Sequence, residues 1–196
     1  MKRLLISLSA FLLSSAGSAA QASIFNYVAV LNGASESPAN ASPGTGIANI
    51  VIDDIANLMT IHVVFSGLLG TTTASHIHCC TTVPLTATAG VATTTPNFLG
   101  FPLGVTSGTY DVALNLLAAS TYNPAYVTAN GGSTATAEAA LLAGIAAGRS
   151  YYNIHTSVVP GGEIRGFLVA VPEPGSLALL GIGAAGLMAM RRRRRA

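Results

Sequence analysis

Residues Gly46 to Ile52 read GIANIVI, which puts Ala48, Ile50 and Ile52 on one face of an extended chain and Ile47, Asn49 and Val51 on the other. Asp53-Asp54 follow as a turn, and Leu58 to Phe65 (LMTIHVVF) is a second apolar, β-branched run, stopped by Ser66-Gly67. Two such runs around a short acidic turn predict a β-hairpin. Strand signals of the same kind dominate the middle of the chain. Ile24 to Leu31 ends at Asn32-Gly33, and Ala74 to His78 and Gly108 to Leu114 are shorter runs. Ser150 to Thr156 and Glu163 to Val169 flank the turn residues Pro160-Gly161-Gly162 as a closing hairpin. Many short strands at near-regular spacing predict a mainly β fold, a sandwich or barrel with one helix packed at its side.

That side helix is expected over Ala135 to Ala147, a stretch of Ala, Leu and Glu with Gly144 as its weak point. Ser133 or Thr134 can cap it, Glu138 is placed in its first turn, and Gly148 suits the position past its end. Asn115 to Ala129 has room for a second short helix, with Asn123-Pro124 read as a break. Thr81 to Pro102 carries three prolines and two glycines and reads as a long ordered loop.

Neither end of the chain belongs to this fold. Lys2 and Arg3 precede an apolar run from Leu4 to Leu13, and Ala20-Gln21-Ala22 fits small-x-small cleavage, so residues 1–22 read as a signal peptide. Cleavage after Ala20 is the alternative. At the other end, residues 171–196 run from Val171-Pro172-Glu173-Pro174 through an apolar stretch, Ser176 to Met190, into five arginines, Arg191 to Arg195. As a helix the apolar stretch spans about 22 Å, short of a bilayer core of about 30 Å. The arginines stay cytoplasmic, which makes 176–190 a transient hydrophobic anchor helix in the inner membrane. One compact domain of roughly 150 residues, 23–170, remains between the two segments.

Removing the ends reverses the charge balance. The whole chain carries +2, but between 23 and 170 the only basic residues are Arg149 and Arg165. Against them stand Glu36, Asp53, Asp54, Asp111, Glu138 and Glu163, so the domain is close to −4. A domain without a basic patch does not attract phosphate, and nucleic acid is excluded as a partner. There is no phosphate loop, CxxC pair or Ser-His-Asp order, and with Trp at 0 no obvious platform for stacking sugars.

His76 and His78 are two apart and share one face of their strand, with Ile77 turned to the core. His155 lies on another strand, with Tyr151 and Asn153 on its face. Two imidazoles at i, i+2 and a third from a neighbouring strand suit Cu(II) or Zn(II). The plainer reading is that each ring hydrogen-bonds a loop. His62 reads as a lone exposed strand histidine, with a fourth-ligand role as the alternative. Glu163 and Arg165 alternate on the last strand and are expected to tie the hairpin to a loop, the alternative being a general base at Glu163. Cys79-Cys80 leaves three arrangements open: a vicinal disulfide, an intermolecular bridge, or thiolates added to the histidines. In an oxidising compartment the vicinal ring is the first expectation.

The C-terminal order of polar motif, apolar run and basic block resembles the PEP-CTERM sorting signal of exopolysaccharide-producing bacteria. The resemblance implies an exosortase that recognises Pro172, Glu173 and Pro174. In the domain, ASHIH (74–78), NIHTSVVPGGEIRGF (153–167), the opening VAVLNGASESPANASPGTGIANI (28–50) and the strand end Val64 to Leu68 together resemble the CHRD domain, named from chordin. Two departures show: Cys79-Cys80 stands where glycine usually follows HIH, and Ser37-Pro38 where paired prolines follow the first Glu. The resemblance implies an immunoglobulin-like or superoxide-dismutase-like β-sandwich or barrel and carries no catalytic activity with it. The expectation is an exported, non-enzymatic protein of the cell surface or extracellular space, structural or adhesive in exopolysaccharide or biofilm matrix. No cofactor is required on that reading. Extracellular polysaccharide is the partner it allows, and a copper or zinc metalloprotein, dismutase-like in chemistry, is the alternative.

Overall fold

A computed structural model describes residues 23–172. The expected signal peptide 1–22, the expected anchor run 176–190, Glu173, Pro174 and the five arginines lie outside the described residues. Eight strands form one antiparallel sheet: β1 (Ile24–Asn32), β2 (Thr45–Asp53), β3 (Leu58–Ser66), β4 (Thr72–Cys79), β5 (Gly108–Asn115), β6 (Ser150–Thr156), β7 (Ile164–Phe167) and β8 (Val169–Ala170). Their order across the sheet is β4-β6-β7-β1-β2-β3-β5, with β8 beside β1. The sheet curls into a half-barrel, a single layer rather than the two packed sheets of a sandwich.

The hairpin of β2 and β3 forms as its alternation requires, in register from Thr45 opposite Ser66 to Asp53 opposite Leu58. Ala48, Ile50 and Ile52 of β2 and Met59, Ile61, Val63 and Phe65 of β3 are buried inside the curl. The Asp53 carboxylate closes the turn by accepting from the amides of Ile55 and Ala56. His62 points outward and pairs with Asp111 directly across on β5, Nδ1 to Oδ1 at 2.6 Å, far from any fourth-ligand role.

The segment between β4 and β5 does hold a long loop, and it closes the mouth of the half-barrel. Ala92 N donates to Ile77 O, Cys79 N to Gly90 O, Phe98 N to Ser75 O, and Thr72 N to Val105 O. These bonds occupy the free edge of β4, which would otherwise present unpaired amides. The same loop drops Phe98 and Phe101 into the core beside Tyr110, with Phe98 stacked 5.9 Å from Tyr152.

Two α-helices are present among the described residues: α1 (Pro124–Ala129), within the stretch that had room for a second short helix, and α2 (Thr134–Ala146), the expected side helix. Asn123-Pro124 starts α1 instead of breaking it. Proline is tolerated at the first helical position, whose N–H has no partner in any case, and the Asn123 side chain accepts from Ala125 N. Ser133 caps α2 in a reciprocal capping box with Thr136. Glu138 falls one turn further in than expected and is buried, and burial raises its pKa. Gly144 is a packing requirement: a Cβ there would collide with Sγ of both Cys79 and Cys80, which are joined in a vicinal disulfide under the helix. Gly166 has the same kind of role, because a Cβ would run into the Val30 carbonyl of β1. The last strand is interrupted at Leu168, whose amide turns to Ser150 O, so the expected single run is two strands, β7 and β8.

Candidate metal centre

The outer face of β4 and β6 collects the chemistry. Their register sets His76 opposite Asn153, His78 opposite Tyr151 and Ala74 opposite His155. His76, His78 and His155 therefore share one face, with His155 diagonal to His76, while Ile77, Tyr152 and Ile154 fill the core on the other. Loops cover this outer face as well, so β4 from His76 to Cys79 and β6 from Ser150 to Ile154 are buried on both sides.

One ligand atom from each histidine lies within 4.8 Å of the other two. The rings stack, His76 against His78 at 5.1 Å and His76 against His155 at 4.8 Å between centroids. Metal–nitrogen bonds of about 2.0–2.1 Å limit two ligand nitrogens to roughly 4 Å, so the triad must close by somewhat less than an ångström to grip one ion. Two rings are pinned. His78 Nδ1 bonds Ala89 O at 2.8 Å and His155 Nδ1 bonds Pro160 O at 2.9 Å. A carbonyl acceptor requires the proton on Nδ1, which leaves a lone pair on each Nε2. Both Nε2 atoms are buried without a partner, as is Nδ1 of His76. Burial and mutual repulsion depress the pKa of His76 to about 3 and that of His78 to about 4; burial also lowers that of His155. The set is three neutral imidazoles, the state that ligates Cu(II) or Zn(II), and its donors fit those ions. Buried nitrogens with no acceptor or donor nearby are also what a purely loop-bonding role would have avoided.

Around the triad sits a polar shell. Tyr151 stacks on His78 at 4.6 Å, and the Arg165 guanidinium lies 4.6 Å above Tyr151. Arg165 donates to Ser35 O and faces Glu36 Oε2 at 3.8 Å. Asn153 Nδ2 donates to Glu36 Oε1 at 3.2 Å. Glu36 is 8% exposed, and burial pushes its pKa up to about 7 despite Arg165, Ser37 N and Asn153. Arg165 thus pairs with Glu36 and not with Glu163.

Glu163 is fully buried and accepts four bonds. Leu69 N and Ser42 Oγ reach Oε1, both at 2.6 Å, while Gly70 N (3.2 Å) and Thr156 Oγ1 (2.5 Å) reach Oε2. It ties the closing hairpin to two loops, as the plainer reading of that residue held. Cys79 and Cys80 do not join the metal group. Sequence reasoning passed over three residues of the loop after β1: Glu36, which meets Asn153 and Arg165, and Asn40 and Ser42, which donate to Gly162 and Glu163 of the closing hairpin. The available signal was a lone acid in a polar loop of a domain with two basic residues.

The domain is a curled antiparallel β half-barrel with a histidine face on β4 and β6, and a polar-apolar-basic segment follows it in the sequence. The CHRD domain family matches residues 27–168, and the chain belongs to it. The PEP-CTERM protein-sorting motif matches residues 170–195, which marks the protein as an exosortase substrate exported to the surface or beyond. No curated protein and no solved structure matches the chain. Among the described residues no helix is long and apolar enough to cross a membrane.

Proposed function

We propose that the exported domain holds one Cu(II) or Zn(II) ion through His76, His78 and His155. The supporting observation is the set of buried, unpartnered nitrogens, one on each of three imidazoles kept neutral by burial. Three ligands leave a fourth position for water, the arrangement of catalytic rather than structural sites, and a copper ion there would support redox chemistry. This reading takes the half-barrel as an open counterpart of the superoxide-dismutase-like barrel. Titration of the exported protein with Cu(II) and Zn(II) tests it. One equivalent should bind, and His155→Ala should weaken binding about 100-fold or more, since even outer-shell changes cost 10–100-fold. Unchanged affinity in His155→Ala would remove the metal reading.

The second reading is a non-enzymatic structural or adhesive role in exopolysaccharide or biofilm matrix, and the sorting signal favours it. On either reading the chain is held at the inner membrane through 176–190 before exosortase processing. Intact mass of the secreted protein should correspond to a chain that begins near Ser23 and lacks Arg191 to Arg195. Secreted material that still carries the five arginines would sink the processing step.

A further inference from the structure

We infer that the Cys79–Cys80 disulfide is an exchange site for small thiols, attacked at Cys80 from the cavity it shares with α1. That cavity has a volume of about 450 Å³, a size that suits a small molecule and not a folded partner. Both cysteines line it, together with Val91, Asn123, Tyr126 and Ala129, and none of the residues around it is charged. The two cysteines are unequally open. Cys80 is half-buried, whereas Cys79 is 4% exposed. Exchange proceeds by attack of a thiolate on one sulfur of a disulfide, so access selects Cys80 as the sulfur attacked and Cys79 as the one released.

Polar groups around the pair are idle while the bond is intact. Ser150 is directly opposite Cys79, from the start of β6, and fully buried, and its hydroxyl has no hydrogen-bond partner. A Cβ on Gly144 would meet both sulfurs and would lie 3.2 Å from Ser150 Oγ, so hydroxyl and sulfurs border one small space beneath α2. The Tyr126 hydroxyl has Cys80 Sγ, 3.9 Å away, as its one partner among the described residues. Ala140 O lies 3.7 Å from the same sulfur. A disulfide has no proton to donate, and its sulfurs are weak acceptors. A thiolate is a strong acceptor, and a thiol can donate to a carbonyl. A buried hydroxyl without a partner is costly, and opening the pair gives Ser150 one.

In the forward direction the thiolate of a low-molecular-weight thiol bonds Cys80 Sγ and the Cys79–Cys80 bond breaks. Its electron pair leaves on Cys79 Sγ, which takes up the proton the incoming thiol gave up and accepts from Ser150 Oγ. A second molecule of the thiol attacks the sulfur of the first, frees Cys80 and departs with it as a disulfide. Two small thiols are oxidised and the protein pair is reduced. A small disulfide closes the pair again by the same steps in reverse, and an oxidising compartment keeps it closed at rest. Alternation along β4 turns Cys79 into the core, away from the face of His76 and His78, so the exchange needs no metal.

The test uses the exported protein without metal, in buffers of reduced and oxidised glutathione, with free thiols alkylated and the products read by mass. The pair should open and close with the buffer ratio while circular dichroism shows the domain folded. In Cys79→Ser the remaining Cys80 should take up one glutathione from oxidised glutathione. In Cys80→Ser the buried Cys79 should stay unmodified over the same time. Ser150→Ala should slow reduction about tenfold or more, the loss of one hydrogen bond to a charged sulfur. Ala129→Trp, at an exposed position lining the cavity, should also slow it without changing stability, and it serves should Ser150→Ala fail to fold. Reduction that occurs only in denaturant would overturn the inference. So would an adduct on Cys79 in place of Cys80, or a wild-type rate in either Ser150→Ala or Ala129→Trp.

Discussion

Glu163→Ala is expected to destabilise the domain by about 4 kcal/mol or more at pH 7. The change strands two backbone amides, Leu69 and Gly70, and two hydroxyls, Ser42 and Thr156, around a carboxylate that is itself fully buried. Each buried donor left without an acceptor costs roughly 1–3 kcal/mol. Glu163→Gln does not rescue it. One backbone amide sits on each carboxylate oxygen, so either orientation of the new amide sets its NH2 against an N–H that cannot turn. Thermal unfolding should show the midpoint falling by about 10 °C or more for Ala, on the usual conversion for a domain of this size. The effect depends on pH in a defined direction. Burial raises the Glu163 pKa, but the hydrogen bonds outweigh it and hold it below the ordinary value of 4.5. A depressed carboxylate stabilises the fold above that value, and the stabilisation is lost as pH falls through the folded pKa. The gap between wild type and Glu163→Gln should therefore narrow below about pH 4.5. Midpoints within 1 °C of each other at pH 7 would show that the carboxylate is not the tie described.

Ile164→Asp should prevent cooperative folding. Ile164 is fully buried on β7, opposite Ile154 and beside Gly44. The two basic residues of the domain are already engaged, Arg165 with Glu36 and Arg149 with the Thr81 carbonyl. A carboxylate buried there without a partner costs several kcal/mol, comparable to the whole stability of a domain. Ile47→Asp is the control. Ile47 is 49% exposed on the outer face of β2, and the same substitution there should leave the unfolding transition within about 0.5 kcal/mol of wild type. Circular dichroism and a denaturant transition separate the two outcomes. A folded, cooperative Ile164→Asp protein would mean that the last strand faces the other way.

The histidine face shows where reading along the chain stops. Two-residue spacing places His76 and His78 together on any strand, so that pair was legible. Their meeting with His155 depends on β4 and β6 being neighbours, although some 70 residues separate them in the chain. The place of Glu36 needs more still, because only the loop after β1 brings it against Asn153 and Arg165.

Local pattern determined the strands, the β2–β3 hairpin, the capped helix α2 and the C-terminal sorting motif, because each depends on residues within a few positions of one another. Alternation sets which face of a strand is buried, a capping box spans four residues, and a hydrophobic run measures its own length. Proline misled at Asn123-Pro124, since the same residue that stops a helix from inside also begins one. The tertiary structure alone decided that the sheet curls as one layer and that the loop between β4 and β5 closes its mouth. It also decided that Gly144 makes room for the disulfide, and that Arg165 takes Glu36 while Glu163 takes four hydrogen-bond donors. Those outcomes turn on which buried charge meets which partner once the chain has closed on itself. A domain with two arginines and six acids leaves that open until contacts between distant segments are made.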